Sequence, residues 1–349
     1  MTLPNKIVGL LDFLANPQKD IEVFGMFGPG NLGDEAMLVA AGQALSPRRI
    51  VPSRRYPARP LLNGLVERRR RKHLLVGGGT LIHGGDTGWL DYVEMRARQG
   101  VEVSFFGTGM AFAEHQIVNE SDPYRRWRAI LRQARHVHLR GPDSVGLAER
   151  MGVRAGIFGD FGFLLHRPGL AAANRDRQDG PVGLSLGECL GDQDAFEDAC
   201  VALVERLSRD HRLAFHVAVR TDLPATERVI ARAGLAEGQY GIEAHYFDPY
   251  AFMHAISGYR VFLGLKLHAA GFAMVAGVPA LMIAYLPKCH DFMAPLNADP
   301  RMTVPLPLDV DDVLARIGDV LADPRDFVVA DRIAAIAATQ RGTLARVYG

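Results

Sequence analysis

His268 stands two residues beyond Lys266 in Gly264-Leu265-Lys266-Leu267-His268, where an apolar run gives way to small residues with helical spacing; Lys288 follows the next apolar run. Imidazole is the side chain best suited to passing a proton near neutrality, its reference pKa lying at about 6.5. Ammonium groups in a stretch otherwise nearly free of charge are costly unless they meet carboxylates or an anionic ligand. These residues therefore offer an anion site with a proton donor in it, or, as the structural alternative, buried ion pairs. Arg140 closes another apolar run, in Leu139-Arg140-Gly141-Pro142-Asp143-Ser144, and carries a planar donor fork that suits a carboxylate or a phosphate. Its structural alternative is a pair with Asp143.

Two glycine-rich segments follow strand-like runs. Leu74 to Trp89, "LLVGGGTLIHGGDTGW", contains Gly78, Gly79, Thr80 and His83, and so many glycines imply backbone brought close to a ligand or a neighbouring segment. Phe27 to Ala36, "FGPGNLGDEA", holds a complete G-x-G-x-x-G with Gly30 and Asn31 in it. A dinucleotide site would need an acid at the end of the next strand to hold the ribose. That strand ends "RIVPSRRYP", where only Arg54 and Arg55 could serve, on an NADP phosphate. Asp34 and Glu35 would lie where the pyrophosphate must sit, and their like charge opposes it. Structurally, Asp34 reads as a helix N-cap and Glu35 as a complement to the helix dipole.

The elements that must position these residues are legible as apolar runs alternating with helical patterns. The runs begin at Ile21, His73, Val101, His136 and Ala155, then at Val182, Leu213, Glu243, Arg260 and Pro279. Strands that are apolar on both faces and alternate with helices imply parallel sheets covered on both sides. A chain of 349 residues is longer than one core usually grows, so two Rossmann-like domains follow, at 1–166 and 180–349. The polar segment 167–179 reads as the linker, and the last residues read as terminal helices.

Composition excludes several classes. Hydrophobic residues at 48% and charged residues at 23% are those of a folded chain, not a disordered one. Cys189, Cys200 and Cys289 are scattered, without the spacing of a disulfide framework or a zinc site. No secretion leader is read at the N-terminus, which places the protein in the cytoplasm. The uncharged stretch His268 to Leu286 is long enough to span a membrane, but Gly277-Val278-Pro279 divides it into a short helix and a strand. Lys plus Arg outnumber Asp plus Glu by 22 to 16 through Leu165 and are outnumbered 18 to 23 beyond it. Basic runs such as Arg48 to Arg55, Arg68 to His73 and Tyr124 to Arg135 read as a solvated surface or as attraction to an anionic substrate or membrane. No recognised nucleic-acid-binding module accompanies them.

Taken together, these residues resemble the polysaccharide pyruvyl transferase family over most of the chain. "FGPGNLGDEA" is similar to the family's opening G-x-G-N-x-G-D-E, "VGGGTL" from Val76 to its G-G-G-S/T-L, and "LRGPDS" from Leu139 to its R-x-x-x-S. "GLKLHAAGFAMVAGVP" from Gly264 resembles the G-x-R-L-H signature with its G-V-P, and "YLPK" from Tyr285 the Y-x-P-K. The resemblance implies an α/β fold with two Rossmann-like domains facing across a cleft (GT-B-like), parallel sheets with helices on both faces. It implies transfer of the enolpyruvyl unit of phosphoenolpyruvate to a sugar as a cyclic ketal, with no cofactor and no metal.

Residue by residue, Arg140, Lys266, Leu267 and Lys288 would bind the donor and His268 would be the general acid. Gly30, Asn31, Asp34, Glu35, Gly78, Gly79, Thr80 and His83 would face the acceptor from the N-terminal domain. Lys266 replaces the signature arginine, keeping its charge and losing its fork. Asp160, in "GDFGFLL", lacks the proline that the family often has after it. The implied partners are phosphoenolpyruvate and a saccharide of a cell-surface polysaccharide or of its lipid-linked precursor, with peripheral contact at the inner face of an anionic membrane. The rival readings are a nucleotide-sugar glycosyltransferase of the same fold and a non-catalytic sugar- or anion-binding protein.

Overall fold

Every apolar run named above contributes a strand, and each strand needs its two faces covered, which parallel pairing with helical crossovers supplies. The computed structural model describes residues 20–53, 73–169 and 179–349. Among these, 20–26, 41–53, 73–158 and 343–349 form one compact unit, and 27–40, 159–169 and 179–342 form another.

The first unit is built on β1 (Asp20–Phe24), β2 (Arg49–Ser53), β3 (His73–Gly77), β5 (Glu102–Phe106), β7 (His136–Leu139) and β8 (Gly156–Ile157). They lie in the order β2-β1-β3-β5-β7-β8, and every pair is parallel. The short strands β4 (Ile82–His83) and β6 (Met110–Ala111) make a separate parallel pair. Helices Gly88–Arg98, Asp122–Gln133 and Pro142–Arg150 cross between strands, and Trp89, Leu90, Trp127 and Ile130 from them meet Phe24, Leu74, Val76 and Phe105 in one core.

The second unit repeats the scheme with β9 (Val182–Ser185), β10 (Leu213–Val217), β11 (Tyr240–Ala244), β12 (Val261–Gly264), β13 (Ala280–Ile283) and β14 (Thr303–Val304). Their order is β11-β10-β9-β12-β13-β14, again all parallel. Strand order reverses between β9 and β12, and open α/β sheets collect ligands at the carboxyl ends of strands beside such a switch. The residues placed there are Gly187 and Glu188 after β9, and Lys266 to His268 after β12. The uncharged stretch 268–286 resolves into helix Leu267–Val275, a turn at Gly277 and β13. Among the described residues no helix is long and apolar enough to cross a membrane.

Three expectations differ from the structure. The run at Glu243 was expected as a strand, but β11 starts at Tyr240, because pairing of Leu213 with Tyr240 through Val217 with Ala244 sets the edge register. The opening loop 27–40 was counted with residues 1–166, but it belongs to the second unit. Asn31 makes an antiparallel bridge to Val219, and the Leu32 N–H donates to the Ala218 carbonyl at 2.9 Å. Residues 159–166 also join the second unit through the fully buried turn Phe161–Leu165, whereas 343–349 join the first. Of the expected linker, 170–178 lie outside the described residues, as do Arg54, Arg55 and 68–72.

Among the described residues, the first unit encloses a buried ion pair. Glu22 on β1 accepts from Ser53 Oγ at 2.5 Å, from the Tyr92 hydroxyl, and from Arg96 Nη2 at 2.5 Å, and both charged side chains are buried. Removing one member leaves a buried charge uncompensated. Arg96→Leu is expected to cost about 3–5 kcal/mol in denaturant unfolding, and Glu22→Gln added to it should restore part of that loss.

Candidate active site at the sheet switch point

β12 ends at Gly264, Leu265 donates its N–H to the Ser185 carbonyl at 2.8 Å, and the chain turns at Lys266 into helix Leu267–Val275. His268 thus sits in the first turn of that helix. Its ring stacks on Phe272 (centroids 5.6 Å apart, planes 24°), and Nε2 lies 3.4 Å from Asp160 Oδ1, with the side chain 15% exposed. Asp160 is wholly buried, and its carboxylate also accepts the Gly162 N–H at 2.8 Å, which fixes where that carboxylate stands relative to the ring.

On another side of the ring stands the opening loop. A Cβ on Gly33 would lie 1.9 Å from His268 Nδ1, so only glycine lets helix Leu32–Ala44 begin against the imidazole. Asn31 is the residue that caps this helix. Its Oδ1 accepts the Gly33 N–H at 3.0 Å and its carbonyl accepts the Glu35 N–H. The expected capping role of Asp34 is therefore overturned: the cap lies three residues earlier, at Asn31, and the Asp34 side chain is not used as the cap. Glu35 turns back to accept the Gly28 N–H at 2.5 Å. Gly30 is held by its carbonyl, which accepts the Arg220 N–H. The N–H groups of Gly28, Leu32 and Gly33, which a pyrophosphate would need, are thus all committed within the protein. That, together with the acids, disposes of the dinucleotide reading.

Asp34 is 5% exposed. Burial pushes its carboxyl up to about 6, and the His268 ring and the Lys288 ammonium pull against that rise. Two buried carboxylates, Asp34 and Asp160, therefore act on one histidine, and one of them titrates near neutrality.

Lys266 takes the alternative ranked second on sequence. Its Nζ donates to the Glu188 carbonyl at 2.7 Å and lies 3.2 Å from Oδ1 of the buried Asp222, whose pKa is raised by burial and pulled back by that ammonium. Lys266 and Lys288 both approach the Tyr285 ring, their Nζ atoms 5.6 and 4.8 Å from its centroid. Leu267, between Lys266 and His268, is buried.

The remaining expected residues lie in the first unit. Arg140 is 1% exposed, and its fork is turned onto the glycine loop: Nη1 donates to the Gly79 carbonyl at 3.1 Å and Nη2 to Thr80 Oγ1 at 3.2 Å. A Cβ on Gly109 would stand 2.2 Å from Nη2, so that glycine makes room for the guanidinium. Gly78 precedes this pair in the same turn. His83, on β4, gives its carbonyl to Trp127 Nε1 at 3.2 Å, and its Nδ1 accepts the Gly85 N–H at 3.0 Å. The structure groups His268 with Asp34, Gly33 and Lys288, and separately Arg140 with Gly79 and Thr80. Sequence reasoning passed over Asp222 and Glu188 and gave little weight to Asp160. The available signal was an acid directly after a strand or its following turn.

Two six-stranded parallel sheets with helical crossovers are the architecture of the GT-B-like class of α/β protein. Solved structures share this fold. The UDP-GlcNAc 2-epimerase of Methanocaldococcus jannaschii matches at 10% identity, over 95% of this chain and 100% of that one, with a TM-score of 0.58. Anabaena HepE, solved with UDP-glucose, matches at 12% identity over 94% and 98%, with a TM-score of 0.58. MnaA of S. aureus, solved with UDP, matches at 10% identity over 90% and 91%, with a TM-score of 0.61. Among curated proteins none matches. Residues 31–287 match the polysaccharide pyruvyl transferase family, and the chain belongs to it.

Two outcomes follow. Gly33→Ala should leave the protein folded but displace the His268 ring, seen as a shifted His268 side-chain resonance and lost ligand binding. For Asp34, the folded protein holds the proton more tightly than the unfolded chain, so stability falls as pH rises through about 6. Asp34→Asn should be more stable than the parent by about 3 kcal/mol at pH 8 and about equal to it at pH 4, measured by urea unfolding.

Proposed function

We propose that this member of the family transfers the enolpyruvyl unit of phosphoenolpyruvate to two hydroxyls of a saccharide as a cyclic ketal, with the proton chemistry run by His268, Asp34 and Asp160. The observation that carries the reading is the packing of His268 against Gly33, between two buried carboxylates, at the sheet switch point. His268 gives a proton to the methylene carbon of the donor. A sugar hydroxyl adds to the neighbouring carbon while its own proton passes to Asp34, whose carboxylate is a base matched to neutral pH. The carbon–oxygen bond to phosphate then breaks with its electron pair on oxygen. The second hydroxyl closes the ring, and its proton leaves with phosphate. Asp34 returns its proton to His268 and so resets the pair. Asp160 is the positioning residue, fixing the ring through its 3.4 Å approach.

Lys288, with Leu267 beside the histidine, is our candidate for holding the donor's anionic groups. Lys266 shares its charge with Asp222 and serves there as one half of a donor-side pair. Arg140 acts through the loop it holds, Gly78, Gly79 and Thr80 being shaped by its guanidinium; Gly30, Asn31 and Glu35, in the loop beside His268, are our candidates for the acceptor side. The acceptor is a saccharide, in our proposal one carried on a lipid at the inner face of a membrane.

The UDP and UDP-glucose in the solved relatives of the fold favour one rival, a nucleotide-sugar enzyme. Calorimetry with phosphoenolpyruvate and UDP-glucose in parallel separates them. The proposal expects phosphoenolpyruvate to bind and Lys288→Ala to weaken it; binding of UDP-glucose alone would sink it. With a saccharide acceptor, His268→Gln and Asp34→Asn should each lower phosphate release from phosphoenolpyruvate by about 10²–10⁴-fold. The parent's turnover should decline as pH falls through about 6, and Asp34→Asn should lack that limb.

A further inference from the structure

Away from this site, at the carboxyl end of the outer strands of the second sheet, three ligand-type side chains share one face. His216 on β10 pairs in register with Glu243 on β11, and His245 follows two residues later, its N–H donating to the Val217 carbonyl at 2.9 Å. Strand alternation puts Glu243 and His245 on the same side as His216. One ligand atom from each of the three lies within 4.8 Å of the others. The imidazole rings of His216 and His245 are near-parallel, with centroids 5.6 Å apart, and His245 Nε2 lies 3.1 Å from Glu243 Oε2.

Aromatic packing alone does not account for this arrangement. Phe252, Tyr259 and Phe262 surround His216, and a phenylalanine would serve that packing. His216 is 1% exposed, its Nε2 lies 2.8 Å from the Tyr259 hydroxyl, and its Nδ1 has no partner. A buried ring nitrogen left unmatched is costly, because it gives up its bond to water and gains none in return. If Nε2–H donates to Tyr259, Nδ1 presents a lone pair, which is how an outer hydroxyl fixes the tautomer of a metal-binding histidine.

We propose that His216, Glu243 and His245 bind a divalent transition metal ion of the zinc class, with a further coordination position left to water. Two imidazoles and a carboxylate suit zinc better than magnesium or calcium, which take oxygen ligands. Zinc bonds of about 2.0–2.2 Å place neighbouring ligand atoms about 3.4 Å apart. Glu243 and His245 already stand 3.1 Å apart, so the approach still needed, at most about 1.4 Å, is toward the buried His216, and Glu243, whose side chain is 55% exposed, has the most room to make it. The bound ion would tie the edge strand β11 to β10, just before residues 218–220 that hold the opening loop.

The test uses the full chain stripped with a chelator and titrated calorimetrically with zinc chloride alone. One zinc per chain is expected, with the dissociation constant raised at least tenfold in Glu243→Gln and in His245→Gln, each checked by circular dichroism to be folded. X-ray absorption at the zinc edge should then show two imidazole nitrogens, and His216→Phe should remove one of them. Absence of one-to-one uptake, or uptake unchanged in the Glu243→Gln/His245→Gln double variant, would overturn the proposal.

Discussion

Gly33 lies so close to the His268 imidazole that no side chain fits between them, and much of the site follows from that approach. It requires the opening loop to leave the first sheet and lie on the second, where the bridge from Asn31 to Val219 and the bonds of Leu32 and Gly30 to residues 218–220 hold it. It also brings Asp34, one position on, into a buried setting beside the ring. Two backbone hydrogen bonds, from the Leu32 N–H to the Ala218 carbonyl and from the Arg220 N–H to the Gly30 carbonyl, make that bridge and hold the loop in this geometry.

The charges are arranged as buried pairs with one deliberate imbalance. Asp222 neutralises Lys266, and Asp160 is committed to Gly162 while standing beside His268. Asp34 is the imbalance: burial outweighs its attraction to His268 and Lys288, so its carboxyl titrates near neutrality and the protein gives up stability to hold it there. A buried carboxyl raised in this way, clustered with other ionisable groups, marks a candidate site. The buried Glu22 and Arg96 of the first unit have no such imbalance and read as architecture.

Much of the fold was legible because strands covered on both faces leave continuous apolar runs, and these named β1, β3, β5, β7 to β10, β12 and β13 with few boundary errors, while the short β4, β6 and β14 left no such run. β11 was misplaced since an edge strand takes its register from backbone pairing, which leaves no side-chain pattern. The site was legible in its residue types and not in its grouping. Sequence order attached the opening loop to the first sheet, whereas backbone bonds to residues 218–220 attach it to the second. The role of Asn31 as cap could not be separated from that of Asp34 without knowing where the helix starts. Lys266 looked like a free cation because Asp222, its partner, is 44 positions away in the chain. The third glycine of the opening motif gained a definite meaning only from the structure, as the space that His268 occupies.

The central claim is that phosphoenolpyruvate is held and protonated at His268. Titration of the full chain, labelled with ¹⁵N at histidine, with phosphoenolpyruvate tests it most directly, the His268 signals being assigned from His268→Gln. Saturable shifts in both ring nitrogens of His268, weakened by Lys288→Ala, are the predicted result. Saturation by phosphoenolpyruvate that leaves the His268 signals unmoved, or no binding at all, would contradict the account.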